Sequence, residues 1–242
     1  MISVCMASFN GSKYIEEQLE SILIQLGPLD EVVIVDDASK DDTVSIVKNF
    51  NDPRIKLIEN DLNVGVISSF EKSLCLAVGD FIFLSDQDDI WLPDKVSKIM
   101  ELFCRNSEVT LCLSDASIID DTGKVNAKTY FDQRGSFKHS VLSNILKNKF
   151  LGCSLAFKKS MITHIIPIPN KIPAHDMWIG LINEIYGKSA FVNKPLFQYR
   201  RHSENVSSMT HENIKKMVSW RITLIFYLSL RLLRILIFSK NK

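Results

Sequence analysis

The stretch Phe81-Ile82-Phe83-Leu84-Ser85-Asp86-Gln87-Asp88-Asp89 decides the reading of this chain. A short apolar run ending in polar residues fits a buried strand, and three carboxylates follow it at once. Like charges held that close repel one another, so the arrangement is costly unless protons or a cation offset it. Hard oxygen ligands of this kind suit Mg2+ or Mn2+, which keep some water and take further ligands from substrate phosphates. Taken alone, the cluster also fits an acidic turn capping the helix that Pro93 introduces.

Toward the N-terminus the same alternation recurs. Residues 2–7 form an apolar run that ends at Ser8-Phe9-Asn10-Gly11, and residues 14–25 then place Ile15, Leu19, Ile22 and Leu23 at helical spacing. Residues 31–35 form a second strand, which stops at Asp36-Asp37; Ser39-Lys40-Asp41-Asp42 resembles a capping box opening the next helix. A strand over 55–59, a helix over 66–78, a helix after Pro93 and a strand over 109–114 complete the pattern. Such alternation predicts an α/β fold whose central sheet is mainly parallel and covered by helices on both faces. Ligands of these sheets bind outside the carboxyl ends of the strands. That directs attention to residues 7–10, 36–37 and 85–89, so both acidic clusters should face one crevice.

The motifs Met6-Ala7-Ser8-Phe9-Asn10-Gly11, Val35-Asp36-Asp37-Ala38-Ser39, Asn63-Val64-Gly65 and Ser85-Asp86-Gln87-Asp88-Asp89-Ile90-Trp91-Leu92-Pro93-Asp94-Lys95 resemble, in content and order, those of the family 2 inverting glycosyltransferases. The resemblance is specific over the first hundred residues and looser to about residue 210. It implies a nucleotide-diphospho-sugar transferase fold of the GT-A type. It assigns Asp37 to the pyrimidine, with Ala7 and Phe9 lining that pocket, Asp86 to the ribose and sugar, and Asp88 to the Mn2+ or Mg2+ that bridges the diphosphate. Phe9 stands where many members have tyrosine, which removes a ring hydroxyl but leaves stacking. The motif at 85–95 also resembles that of rhamnosyltransferase members.

Farther along, Pro173-Ala174-His175-Asp176-Met177-Trp178 sets an acid beside a histidine just before a helical pattern. Inverting transfer needs a base for the acceptor hydroxyl. The matching family motif implies that Asp176 is that base, with His175 replacing the usual first acid; helix N-capping is the structural alternative. Tyr199-Arg200-Arg201-His202 resembles a late family segment that returns to the diphosphate or metal, which implies phosphate contacts from Arg201 and His202. A solvated basic turn is the alternative there. His139, His164 and His211 are isolated and read as ordinary histidines.

These features divide the chain into a nucleotide-sugar-binding half (1–115), an acceptor half of the same domain (116–210) and a tail (211–242). Polar residues 129–140 read as a loop, and Asp120-Asp121-Thr122-Gly123 as a hairpin turn. In the tail, Arg231 and Arg234 interrupt an apolar stretch and share a helix face. An amphipathic helix lying on a membrane surface, its arginines toward anionic headgroups, accounts for this better than a span. Packing on the domain or on a second subunit is the alternative.

The net charge of +1 argues against a nucleic-acid partner. Five cysteines without metal or disulfide spacing, and no cleavable leader in residues 1–8, suit a cytosolic protein with reduced thiols. The expected activity is transfer from a nucleotide-diphosphate sugar to a glycan or lipid-linked glycan acceptor at the inner face of the cell membrane, in surface polysaccharide synthesis. A sugar nucleotidyltransferase shares the general sheet, but residues 8–14 lack its glycine-rich basic loop. A non-catalytic nucleotide-binding subunit needs none of the acids kept here.

Overall fold

Apolar residues fill β1 (Ile2–Ser8) and β2 (Glu31–Asp36) almost without interruption, and nearly every position in both is buried. Strands covered on both faces have this composition, because helices close each side of a parallel sheet. A computed structural model describes residues 1–135, 137–203, 205 and 213–239. His211 and both ends of the 211–242 segment lie outside these residues.

In chain order, α1 (Ile15–Leu23), α2 (Thr43–Asn49), β3 (Ile55–Glu59), α3 (Val66–Leu76), β4 (Phe81–Ser85), β5 (Ile90–Trp91) and α4 (Lys95–Arg105) make up the remainder of the first half. The second half comprises β6 (Leu111–Ile119), β7 (Val125–Ala127), α5 (Tyr130–Arg134), α6 (Val141–Leu146), β8 (Leu155–Lys158), α7 (Ile162–Ile165), α8 (His175–Tyr186), β9 (Ser189–Arg200) and α9 (Ile214–Ser239). The strands form one sheet in the order β3-β2-β1-β4-β8-β6-β9-β5, with β7 paired to β6.

The β3-β2-β1-β4 portion is parallel throughout. Beyond it the sheet is mixed: β8 runs antiparallel to both β4 and β6, β9 runs parallel to β6, and β5 runs antiparallel to β9. The chain builds outward from β1 to β3 and then crosses back to place β4 on the other side of β1. This reversal parts the loops after β1 and β4, the point where open α/β sheets take their ligands. β6 carries straight across residues 115 and 116, so the two halves share one sheet and one apolar core.

Three local expectations change. α2 begins at Thr43 with no side-chain cap bond, because Ser39, expected to cap it, bonds Asp36 instead. Residues 129–140 are not all loop: α5 forms there because Tyr130 and Phe131 are buried and donate their N–H groups to the buried Asp115 carboxylate. The third concerns the tail. Leu224, Leu228 and Arg231 face inward, and the Arg231 guanidinium donates to the carbonyls of His164, Ile166 and Pro167. Arg231 therefore docks α9 on the domain and does not point toward headgroups; those carbonyls give the buried cation its partners. No helix among the described residues is long and apolar enough to cross a membrane.

Candidate active site

The turn after β1 is held from three directions. Phe9 donates its N–H to Gln87 Oε1 at 2.9 Å and accepts from Gln87 Nε2 at 3.0 Å, so the glutamine of the acidic motif acts as a one-residue strand partner. Gly11 makes room for it: a Cβ there would lie 2.2 Å from Gln87 Oε1. Asn10, at φ +48°, receives Lys40 N–H on its side chain and gives its own N–H to Ser39 Oγ. The Phe9 ring remains 43% exposed at this edge, next to the half-buried Ala7.

The acidic pair after β2 splits its duties. Asp36 is buried and accepts from the Ser8 hydroxyl and from Ser39 N–H and hydroxyl, lashing β2 to β1. Asp37 points the other way, toward the β3–α3 loop, where Asn60 Nδ2, Val64 N–H and Gly65 N–H donate to it at 2.8–2.9 Å. Burial alone would raise its pKa, but these donors outweigh burial and hold the carboxyl below its usual range. Gly65 stands at φ +89°, the left-handed region that favours glycine.

At the end of β4 the three carboxylates have three different environments. Asp86 is half-buried, and burial followed by the charges of Asp88 and Asp176 pushes its pKa up to about 7. Asp88 Oδ2 lies 2.8 Å from His202 Nε2 and 3.0 Å from Asn205 Nδ2. Asp89 is fully buried: Oδ1 accepts Arg200 N–H, while Oδ2 has no hydrogen-bond partner among the described residues. Burial and its acidic neighbours push Asp89 upward as well.

Beneath them lies the buried ammonium of Lys95, 4.1 Å from the Trp91 ring centre, 4.4 Å from that of Phe197, and bonded to the Cys153 carbonyl at 2.7 Å. Burial lowers its pKa to about 8. Asp86, Asp89 and Cys153 also bring ligand atoms within 4.8 Å of one another. A buried thiol whose pKa is pushed well above its usual range is a poor ligand for a hard cation, and the Lys95 charge already acts on both acids. The carboxylate–imidazole pair Asp88–His202 and the surrounding repulsion fit Mn2+ or Mg2+ better.

The opposite wall is the start of α8, whose N-terminal dipole favours negative charge. Asp176 sits in its first turn, bonded to Met177 N–H at 2.5 Å. His175 stacks on Phe70 with ring centres 4.0 Å apart, and burial lowers its pKa to about 4. The turn at Gly152–Ser154 abuts both residues: a Cβ on Gly152 would lie 3.2 Å from His175 Nε2 and 3.5 Å from Asp176 Cβ.

The fold thus gathers Asp86, Asp88, Asp176 and His202, with Phe9 tied in through Gln87 and Ala7 at the end of β1 two residues before it. Asp37 lies farther along the same strand ends, toward β3. Arg201 donates to the Tyr199 hydroxyl and lies over that ring. Its neighbour Arg200 is the buried member of the pair, giving Nε to the Asp88 carbonyl at 2.8 Å and Nη2 to Glu17. Strand alternation separates the two arginines onto opposite faces, but nothing local marks which face is inner. Gln18 carries no local signal of its role either. It is fully buried and donates to the Ser85 hydroxyl and the Asp86 carbonyl, yet it occupies an ordinary apolar-face position of α1.

Known proteins resemble this chain in sequence and in fold. The putative teichuronic acid biosynthesis glycosyltransferase TuaG of Bacillus subtilis is 30% identical over 225 residues, covering 89% of this chain and 85% of its own length. The UDP-Glc:alpha-D-GlcNAc-diphosphoundecaprenol beta-1,3-glucosyltransferase WfgD of Escherichia coli is 24% identical, covering 89% and 83%. Among solved structures, S. aureus TarS 1-349 in complex with UDP-GlcNAc superposes with a TM-score of 0.72 at 18% identity, over 90% of this chain and 64% of that one. Mannosyltransferase PcManGT from Pyrobaculum calidifontis, in complex with GDP-Man and Mn2+, gives 0.63 at 19%, over 84% and 57%. The chain therefore spans less than two thirds of these solved chains, and they speak to the GT-A fold alone. The model of Glycosyl transferase family 2 matches residues 3–164, from β1 into α7 and across both acidic strand ends, and the chain belongs to that family.

Proposed function

We propose that the chain moves a sugar, with inversion, from a nucleoside-diphosphate donor to a hydroxyl of a lipid-linked glycan in cell-surface polysaccharide synthesis. The observation that carries this reading is the meeting of Asp86 and Asp88, at the end of β4, with Asp176 from α8 and His202 beyond β9. The names of the two relatives, one in teichuronic acid biosynthesis and one using a diphosphoundecaprenol acceptor, support the acceptor class.

In this reading Asp37 accepts the N–H of the base, Ala7 and Phe9 line the base pocket, and Asp86 holds ribose and sugar hydroxyls. Asp88, with His202, would hold Mn2+ or Mg2+, which stabilises the charge of the departing diphosphate when bound. Arg201, paired here with the Tyr199 hydroxyl, is assigned to the same phosphates. Asp176 takes the acceptor proton as that oxygen bonds the anomeric carbon and the bond to the nucleoside diphosphate breaks. The neutral, buried His175 adds no competing charge beside the base. The enzyme works at the inner face of the membrane, with α9 as its contact. Family membership favours transfer over synthesis of the nucleotide sugar.

Two measurements test this. Thermal shift should show stabilisation by one nucleoside-diphosphate sugar that depends on Mn2+ or Mg2+. Asp176→Asn should lower kcat at least about 100-fold while leaving donor affinity within about twofold. Parallel loss of donor binding would remove Asp176 from the role of base.

A further inference from the structure

Charge is divided along this chain. Residues 1–132 hold 24 of the 28 acidic residues and 11 of the 29 Lys and Arg, a formal −13, whereas residues 133–242 hold 4 acids and 18 cations, a formal +14. Two long stretches, 133–175 and 213–242, contain no acid at all. The fold sets them side by side: Arg221 of α9 donates Nη2 to the carbonyl of Leu146 at the end of α6.

Both helices leave an apolar face open. The inner stripe of α9 is Leu224, Leu228 and Arg231. On the helical period, Val218, Ile222, Phe226 and Leu233 form the opposite stripe, each 48–63% exposed. Arg221 and Arg234 fall on its two flanks. On α6, Leu142 and Leu146 lie one turn apart, 68% and 58% exposed. Exposed apolar stripes on neighbouring helices mark interaction surfaces.

We infer that α6 and α9 together form one docking face for an anionic lipid bilayer, the leucines of α6 inserting beside the apolar stripe of the tail. This rests on the peripheral membrane reading above and extends it from the tail to the body of the acceptor half. A bilayer offers an apolar interior beneath a layer of negative charge, which matches an apolar stripe flanked by arginines. A second copy matches poorly. A two-fold pair would set the acid-free, seven-cation tail of one chain against the identical tail of the other. Nucleic acid is excluded by the apolar centre of the face. Because α6 and α9 both pack on α8, docking fixes the helix that begins at Asp176 relative to the bilayer.

The test is flotation of the full chain with phosphatidylcholine vesicles, with and without phosphatidylglycerol. Wild type should bind only the anionic vesicles, and less at high salt. Ile222→Glu/Phe226→Glu should lower the bound fraction about tenfold, and Leu142→Glu/Leu146→Glu about threefold, with unchanged melting because all four positions are exposed. If the α6 variant binds like wild type while the tail variant does not, the tail alone docks and the composite face is overturned. If wild type ignores both vesicle types, the peripheral reading falls with it. A dimer in sedimentation that Ile222→Glu dissolves, without vesicle binding, assigns the face to a second copy and overturns the proposal.

Discussion

His175 couples the integrity of the wall built by the start of α8 to acidity. Its ring is buried against Phe70, Nε2 has no hydrogen-bond partner among the described residues, and burial lowers its pKa from 6.5 to about 4. In the unfolded chain the imidazole takes up a proton near its ordinary pKa, while in the folded chain it stays neutral until about pH 4. Between those values the unfolded state binds more protons, so the stability that neutral His175 contributes is full above about pH 6.5 and is lost as pH falls. The pKa difference corresponds to about 3 kcal/mol in full, of which about 2 kcal/mol is gone by about pH 5. His175→Leu keeps an apolar side chain of similar size and removes the titration. Urea unfolding of both proteins, near neutral pH and near pH 5, isolates the difference, since the other groups titrate in both. Wild type should lose about 2 kcal/mol more than the variant, roughly 4–8 °C in melting temperature. Equal pH dependence in the two proteins would refute the claim that this ring is held neutral by burial.

Three further outcomes follow from the packing. Asp37→Ala leaves the Asn60 amide and the N–H groups of Val64 and Gly65 without their acceptor, so thermal unfolding should show a loss of about 2 kcal/mol even without nucleotide. With Asp37 on the base, as proposed, any loss of donor affinity in that variant then contains a scaffold component as well. Arg231→Met strips the partner from three backbone carbonyls beneath α9; hydrogen exchange in that helix should speed up about 30-fold, with global stability changed less. Gly180→Ala places a methyl 2.3 Å from the Phe150 ring, and the overpacking should cost about 1–3 kcal/mol in chemical denaturation despite the better helix propensity of alanine.

The first half of the fold was legible because its information is local. Each of the first four strands is a short apolar run followed by turn or acidic residues, and each pairs with another strand of the same kind. The acidic strand ends followed from that repetition; the turning of Asp37 onto the β3–α3 loop did not. The second half is written at long range. β5 is two residues long and acquires its identity from pairing with Gln198 and Phe197 of β9. Asp89 owes its hydrogen bond to a backbone N–H 111 residues away. Asp115 looked like the end of a strand, yet it lies inside β6 and pins α5 through N–H groups 15 and 16 residues ahead. Arg231 looked like a headgroup contact because sequence gives its helix face but not which face the domain covers.

The bond from Arg200 N–H to Asp89, with Arg200 Nε on the Asp88 carbonyl and Nη2 on Glu17, has a practical corollary for recombination among relatives. A hybrid that takes residues 1–115 from one parent and the remainder from another would inherit half of this three-way clasp from each. Segment 196–203 should therefore travel with 81–95 and with α1. Donor preference is then best exchanged as a discontinuous block, its crossovers placed in the hairpin at 120–124 and ahead of β9.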